Sequence, residues 1–155
     1  MARVIRSPAD LAALSTLFGE LKLPITVSWV QGADRTTQQN ALQWKWATEA
    51  AMQLNDRLPA DLQAEWKLEI GVPIMRAVDD SFRELYDAVI RPQSYETKIK
   101  LMKQGYPVTS KMKVRPMVRY LDEVQRKCLS MGLHLTEPED DLSKYHARHR
   151  EMADA

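Results

Sequence analysis

Two consecutive segments decide the predicted fold, Pro24-Ile25-Thr26-Val27-Ser28-Trp29-Val30 and Arg35-Thr36-Thr37-Gln38-Gln39-Asn40. The first is rich in β-branched and aromatic residues, which favour a strand. The second lies directly before a Trp-bearing segment, where Thr36 or Thr37 can cap a long helix running to about Asn55. We therefore predict a strand, a sharp turn and a helix in that order.

A second strand is predicted upstream, at Ala2–Arg6, where charged and bulky residues alternate. Between the strands, Ser7 at the N-cap, Pro8 at the first helical position and Asp10 in the first turn predict a helix that runs to about Phe18. Two strands joined by one helix form a parallel pair with a right-handed crossover. The predicted fold class is therefore α+β, with a small N-terminal sheet (a short βαβ unit) and a mostly helical remainder.

Apolar residues at helical spacing predict four further helices in the remainder. A short helix opens at Leu58–Asp61, and a short basic helix occupies Tyr95–Lys103. Between them lies a core helix that ends near Arg91, marked by Ile74, Val78, Phe82, Leu85 and Val89. The last amphipathic helix ends at Gly132 and is marked by Met117, Leu121, Val124, Cys128 and Met131.

Length and composition indicate a cytoplasmic protein. A chain of 155 residues suffices for one domain with a core, predicted here as residues 1–141. Residues 142–155 are predicted to form a polar C-terminal helix or tail that frays or docks on a partner. One cysteine excludes an internal disulfide and favours a reducing cytosol. No secretion signal or membrane span is expected, because no apolar run approaches about 18 residues.

The formal net charge of +1 hides a local basic window. Between Lys98 and Lys127, nine basic residues stand against two acidic ones. The even spacing of Lys111, Lys113 and Arg115 places them on one side of an extended segment, and Arg119 follows in the next helix. Such a group can track phosphates, although a solvated loop accounts for the same pattern.

The segment Arg35–Asn40 has two interpretations. Arg35, Gln39 and Asn40 can contact a phosphate or a base at a helix N-terminus. Alternatively, the polar residues cap the helix and hold the preceding turn. Trp44 and Trp46 point in different directions, so we expect Trp46 in the core or a subunit interface, while Trp44 can stack on a base.

Binding is favoured over catalysis, because Arg, Thr, Gln and Asn supply no nucleophile, general base or metal cage. The chain has no phosphate-binding loop, dinucleotide fingerprint or zinc signature, so no catalytic residue, metal ligand or cofactor is assigned. His146 and His149 have metal-ligand spacing, but a solvated tail is expected there. A metal-dependent nuclease remains an alternative, with Asp79, Asp80 and Glu84 as its candidate ligands.

Several short motifs resemble the NinB (Orf) recombination proteins of lambda-like phages. They are Arg35–Asn40, Trp44, the pair Trp66-Lys67, Thr109-Ser110-Lys111-Met112-Lys113-Val114, and Gly132 with the Leu-Thr-acidic segment after it. The family's Arg-Ser/Thr-x-x-Gln-Asn and Thr-Ser-x-Met elements both occur, in the same order. The resemblance covers roughly Ile5–Glu139, and the tail from Tyr145 has no counterpart.

This resemblance implies a homodimer that binds single-stranded DNA without strong sequence preference. Such a protein is not an enzyme. It acts as a mediator that helps a phage or host recombinase load onto DNA coated with single-strand-binding protein in a bacterial cell. The candidate nucleic-acid-binding residues are Arg35, Gln39, Asn40, Trp44, Lys111, Lys113, Arg115 and Arg119. A protein-interaction module without DNA binding is a further alternative.

Overall fold

The computed structural model describes residues 3, 5–29 and 37–154, without the side chains of 37, 140, 141, 153 and 154. Every regular element in these residues is a helix, and the chain divides into two compact units, 1–32 and 33–155. The α-helices are α1 (Pro8–Glu20), α2 (Thr37–Leu54), α3 (Pro59–Trp66), α4 (Val72–Val78), α5 (Asp80–Leu85), α6 (Tyr95–Lys103), α7 (Val114–Ser130) and α8 (Asp140–Asp154). Two π-helical segments, Lys67–Gly71 and Tyr86–Ile90, and a 3₁₀ turn, Thr109–Lys111, complete the set.

The predicted N-terminal sheet, and with it the α+β class, is wrong. Residues 24–29 have no regular secondary structure, and no β-strand occurs among the residues described. Val30 and part of the predicted strand Ala2–Arg6 lie outside the described residues. The preference of β-branched residues for strands depends on a neighbouring strand to pack against, and the described chain supplies none. The fold is mostly helical.

Helix α1 starts as predicted because its first turn is capped locally. The Ser7 hydroxyl accepts a hydrogen bond from the backbone N–H of Asp10 at 3.2 Å. In return the Asp10 carboxylate accepts from the backbone N–H groups of Arg6 and Ser7 at 2.9 and 3.1 Å. The bond from Arg6 is the main cause of a lowered Asp10 pKa. This reciprocal cap forms although α1 buries no residue, so the helix start needs no core.

The second unit contains a helical core. Its largest fully buried side chains include Trp46, Trp66 and Tyr120. The predicted stripe on α7 is confirmed at Met117, Leu121, Val124 and Cys128, all buried, whereas Met131 is 47% exposed. Burial raises the pKa of the Cys128 thiol to about 11, so it stays protonated and unreactive at neutral pH.

The predicted core helix around Phe82 is broken at Asp79. This residue is extended (φ −133°, ψ 105°), and its carboxylate accepts from the backbone N–H of Phe82 at 2.9 Å to start α5. After the break the buried residues are Phe82, Tyr86 and Ile90, which are spaced by four. Ile74 and Phe82 are buried, but the other three predicted core residues are more than half exposed: Val78, Leu85 and Val89.

Two glycines position the ends of α7. A Cβ at Gly71 would lie 2.8 Å from Cγ1 of Val108, so only glycine allows the loop before α7 to pack this closely. Gly132 has φ +75° just after α7, where the backbone N–H of Leu133 donates to the carbonyl of Cys128 at 2.9 Å. This left-handed stop agrees with the predicted end of the helix.

The chain after α7 runs back along α2. The Gln53 amide exchanges two hydrogen bonds with the His134 backbone, at 2.6 and 2.7 Å. The indole N–H of Trp46 then donates to the carbonyl of Thr136 at 2.7 Å. His134 thus contacts Gln53, whereas Thr136, further along the chain, contacts Trp46, which comes earlier on α2. The segment after α7 and helix α2 therefore run antiparallel.

Helix α8 continues this path and packs on α7. A guanidinium nitrogen of Arg150 lies 2.7 Å from the carboxylate of Asp122 on α7. Leu142 and His146 are buried, at 9% and 3% exposed. The expected solvated tail is therefore wrong at His146, because α8 docks on its own chain.

Candidate nucleic-acid interface

The predicted basic group lies at the start of α7, where exposed and buried side chains alternate. Lys111, Lys113 and Arg115 are exposed, while Met112 and Val114 between them are buried. The backbone at residues 112 and 113 is extended, which turns successive side chains to opposite sides. The apolar pair thus anchors the segment in the core and leaves the cations facing solvent.

Arg119 extends this group along α7. It is exposed and follows Arg115 by four residues, so both lie on the outer face of the helix. Three of these cations form no ion pair with any residue that the structure describes: Lys111, Arg115 and Arg119. Lys113, in contrast, interacts with another group of the protein. We call these four residues the basic edge.

Helix α8, which packs on α7, carries a further exposed cation, Arg148. Burial is the main cause of a lowered His149 pKa, and the charges of Arg148 and Arg115 lower it further. The Arg148 guanidinium carbon stands 5.9 Å from the centre of the Tyr145 ring. The sequence analysis did not select Arg148. The closely spaced basic residues of the predicted tail could have indicated a second positive surface: Lys144, Arg148 and Arg150.

The other predicted segment, at the start of α2, is largely structural. Gln39 is fully buried, and its amide nitrogen lies 3.1 Å from Nε2 of His146, so it is not available to nucleic acid in this fold. Asn40 is partly exposed, and Trp44 is 50% exposed on the outer face of the helix. Arg35 lies outside the described residues.

The partner of Gln39 is an uncharged histidine. Burial, with the charges of Arg150 and His149, lowers the pKa of His146 to about 4. At neutral pH the ring therefore adds no positive charge to the surface. Its neutral Nε2 accepts the hydrogen bond that the Gln39 amide donates.

Helix α8 nevertheless links the two predicted segments. His146 contacts the first turn of α2, and α8 also packs against α7, where the charge of Arg115 contributes to the lowered pKa of His149. Helices α2 and α7 also pack directly against each other. Helix α8 thus contacts both helices that carry the predicted segments, one of which contributes a buried amide and the other exposed cations.

The candidate nuclease ligands do not converge. The Asp79 carboxylate caps α5, and the Asp80 carboxylate pairs with Arg83 at 3.0 Å. Across the part of the chain that the structure describes, no group of three or more His, Cys, Asp or Glu side chains is placed to hold a metal ion.

The same residues include no helix with the length and apolarity needed to cross a membrane.

Comparisons with family models, curated proteins and solved structures found no match for this chain. The resemblance to NinB proteins therefore stays a prediction that rests on the motifs, and DNA binding is proposed from the site.

Proposed function

We propose that this protein binds single-stranded DNA without catalysing a reaction, and that it acts as a recombination mediator. The observation that carries the proposal is the basic edge, where Lys111, Arg115 and Arg119 are exposed and unpaired among the described residues. Cations without carboxylate partners are free to replace the counterions of phosphates, which is the main source of sequence-independent affinity.

Exposed aromatic residues support a single strand as the preferred polymer. Trp44 is 50% exposed and Tyr95 is 53% exposed. Unpaired bases stack on such rings with little sequence preference, whereas the bases of a duplex are already stacked on each other. Binding would therefore combine phosphate contacts with one or more base stacks.

The mediator role and the partners come from the motif resemblance. In this proposal the protein pairs as a homodimer in the cytoplasm of a bacterial host. It contacts single-strand-binding protein and assists a phage or host recombinase. Light scattering of the purified protein tests the dimer. A strand-exchange assay on coated DNA tests the mediator role, and no stimulation of the recombinase would remove that part of the proposal.

The decisive experiment measures affinity by fluorescence anisotropy with labelled single-stranded and double-stranded oligonucleotides at two salt concentrations. We expect tighter binding to the single strand and a steep fall with salt. The triple variant Lys111→Ala/Arg115→Ala/Arg119→Ala should lose about two units from the slope of log affinity against log salt, at about 0.7 for each phosphate contact on a single strand.

A matched control removes three exposed cations elsewhere, Lys22, Arg83 and Lys100, and should retain more affinity than the basic-edge variant. Equal losses would mean that net charge alone binds DNA and that the basic edge is wrongly assigned. Incubating labelled single strands with magnesium or manganese tests the nuclease alternative, for which cleavage would be required.

A further inference from the structure

A separate pocket of about 300 Å³ opens between α4, the second π-helical segment and α6. Its walls combine apolar and aromatic side chains with one acidic residue, Glu69, and three basic ones, Arg76, Arg91 and Lys98. We call it the tyrosine pocket. It does not include any residue of the basic edge, and its volume lies at the lower end of the range for small-ligand sites.

Tyr95 forms a fixed aromatic wall. Its hydroxyl donates to a carboxylate oxygen of Glu69 at 3.0 Å, while half of the side chain remains exposed. The amino group of Lys127 also contacts the Glu69 carboxylate. Because the tyrosine hydroxyl is held, a planar ligand can stack on the ring without first ordering it.

The acidic wall residue Glu69 is paired with Lys127, so the charge that remains in the pocket depends on its basic residues and favours an anion. Arg76 is paired with Asp87 at 2.7 Å, and Arg91 approaches the same carboxylate at 3.6 Å. Lys98 is partly buried and forms no ion pair with a residue in the described ranges. Arg91 is 61% exposed, so it can turn toward a ligand while Arg76 keeps Asp87 occupied.

We propose that the tyrosine pocket binds a nucleoside phosphate, with the base on Tyr95 and the phosphate between Lys98 and Arg91. The ligand is either a free mononucleotide or one nucleotide of a DNA strand. The strand form rests on the function proposed above, whereas the free form does not. Neither an aromatic wall nor a pair of cations alone would select this ligand, and the same pocket of about 300 Å³ is lined by both.

Isothermal titration of the full chain tests the ligand class with thymidine monophosphate, thymidine, inorganic phosphate and a thymidine oligonucleotide. Thymidine monophosphate should bind more tightly than thymidine or phosphate, because only it engages both walls. Lys98→Gln should weaken its binding roughly five- to tenfold. Lys100→Gln, an exposed neighbour on α6 that does not line the pocket, should change little.

A second pair of variants tests the aromatic wall independently of charge. Tyr95→Leu should weaken binding of the mononucleotide by about 5- to 150-fold, which corresponds to the loss of one base stack. Tyr95→Phe keeps the ring but loses the hydroxyl bond to Glu69, so its affinity should lie between those of the wild type and Tyr95→Leu. Circular dichroism of each variant checks that the helices remain folded, so that a loss of affinity can be assigned to the pocket.

The outcomes separate this inference from the proposed function. Equal binding of thymidine monophosphate and phosphate, or equal effects of Lys98→Gln and Lys100→Gln, would overturn the pocket even if the basic edge binds DNA. Lys98-dependent mononucleotide binding without oligonucleotide binding would support the pocket and reject the proposed function. If Lys98→Gln weakens both ligands, the pocket holds a nucleotide of the strand. If Lys98→Gln weakens only the binding of the mononucleotide, the natural ligand is a free nucleotide and not part of a strand.

Discussion

The start of α2 and the start of α7 carry similar polar sequences but have different environments. At α2, Gln39 is fully buried and bonded to His146. At α7, Lys111 and Arg115 are exposed, and the apolar residues between them hold the segment in place. The difference shows that polar residues at a helix start do not by themselves indicate a binding surface. An amide can be buried if one partner satisfies it, whereas unpaired cations stay in water.

The two tryptophans of α2 allow the strongest test of this contrast. Trp46 is 1% exposed and bonded to Thr136, so Trp46→Ala should destabilise the fold by about 3–5 kcal/mol. Trp44→Ala removes a half-exposed ring and should cost far less stability. Urea unfolding measures both variants. If the two lost equal stability, the assignment of Trp44 to the surface would be wrong.

The buried pair should also make stability depend on pH. The folded pKa of His146, about 4, lies below its ordinary value of 6.5, so the unfolded chain binds more protons between these values. Stability from this group should therefore be intact above pH 6.5 and fall as the pH drops toward 4, by no more than about 3 kcal/mol.

Urea unfolding of the wild type and of His146→Gln at several pH values measures the contribution of His146 to stability. All other titrating groups are present in both proteins, so their effects cancel in the difference. The variant should show a flatter profile between pH 6.5 and 4. Parallel profiles would mean that His146 is not buried as a neutral ring.

A smaller effect is expected at the amide itself. Gln39→Ala leaves the acceptor of His146 without its partner and should destabilise the fold by about 2 kcal/mol. Gln38→Ala, at the exposed neighbouring position, should lie within about 0.5 kcal/mol of the wild type. DNA affinity per folded molecule should be unchanged in the Gln39 variant. If Gln39→Ala lowered DNA affinity without a matching loss of folded protein, the start of α2 would be part of the binding surface.

The smallest change concerns one cation of the basic edge. Arg119→Gln should leave stability within about 0.5 kcal/mol and reduce the salt slope of single-strand binding by about 0.7. The control Arg83→Gln removes an exposed cation that pairs with Asp80 and should leave the slope unchanged. Titrations at several salt concentrations compare the two, and identical slopes would exclude Arg119 as a phosphate contact.

Local chemistry predicted the helices whose signals lie within a few residues. The cap at Ser7 and Asp10 formed as expected, α6 has the predicted bounds Tyr95–Lys103, and the apolar stripe of α7 is buried. The segment with the highest strand propensity failed because a strand needs a partner that no residue can supply for itself. The stripe from Ile74 to Val89 failed because the helix is interrupted at Asp79, and the helical segment after it buries Phe82, Tyr86 and Ile90 instead of Leu85 and Val89.

The sequence by itself determined which segments are helical and where the cations concentrate, since both depend on residue type and short-range spacing. Only the tertiary structure decided that α8 folds back onto α2 and α7. Only it decided that Gln39 is buried on His146, and that Tyr95 and Lys98 line one pocket. The contact of Gln39 with His146, and that of α6 with the pocket walls on α4, join segments that are far apart in the chain, so their energies depend on the packed structure and not on local preference.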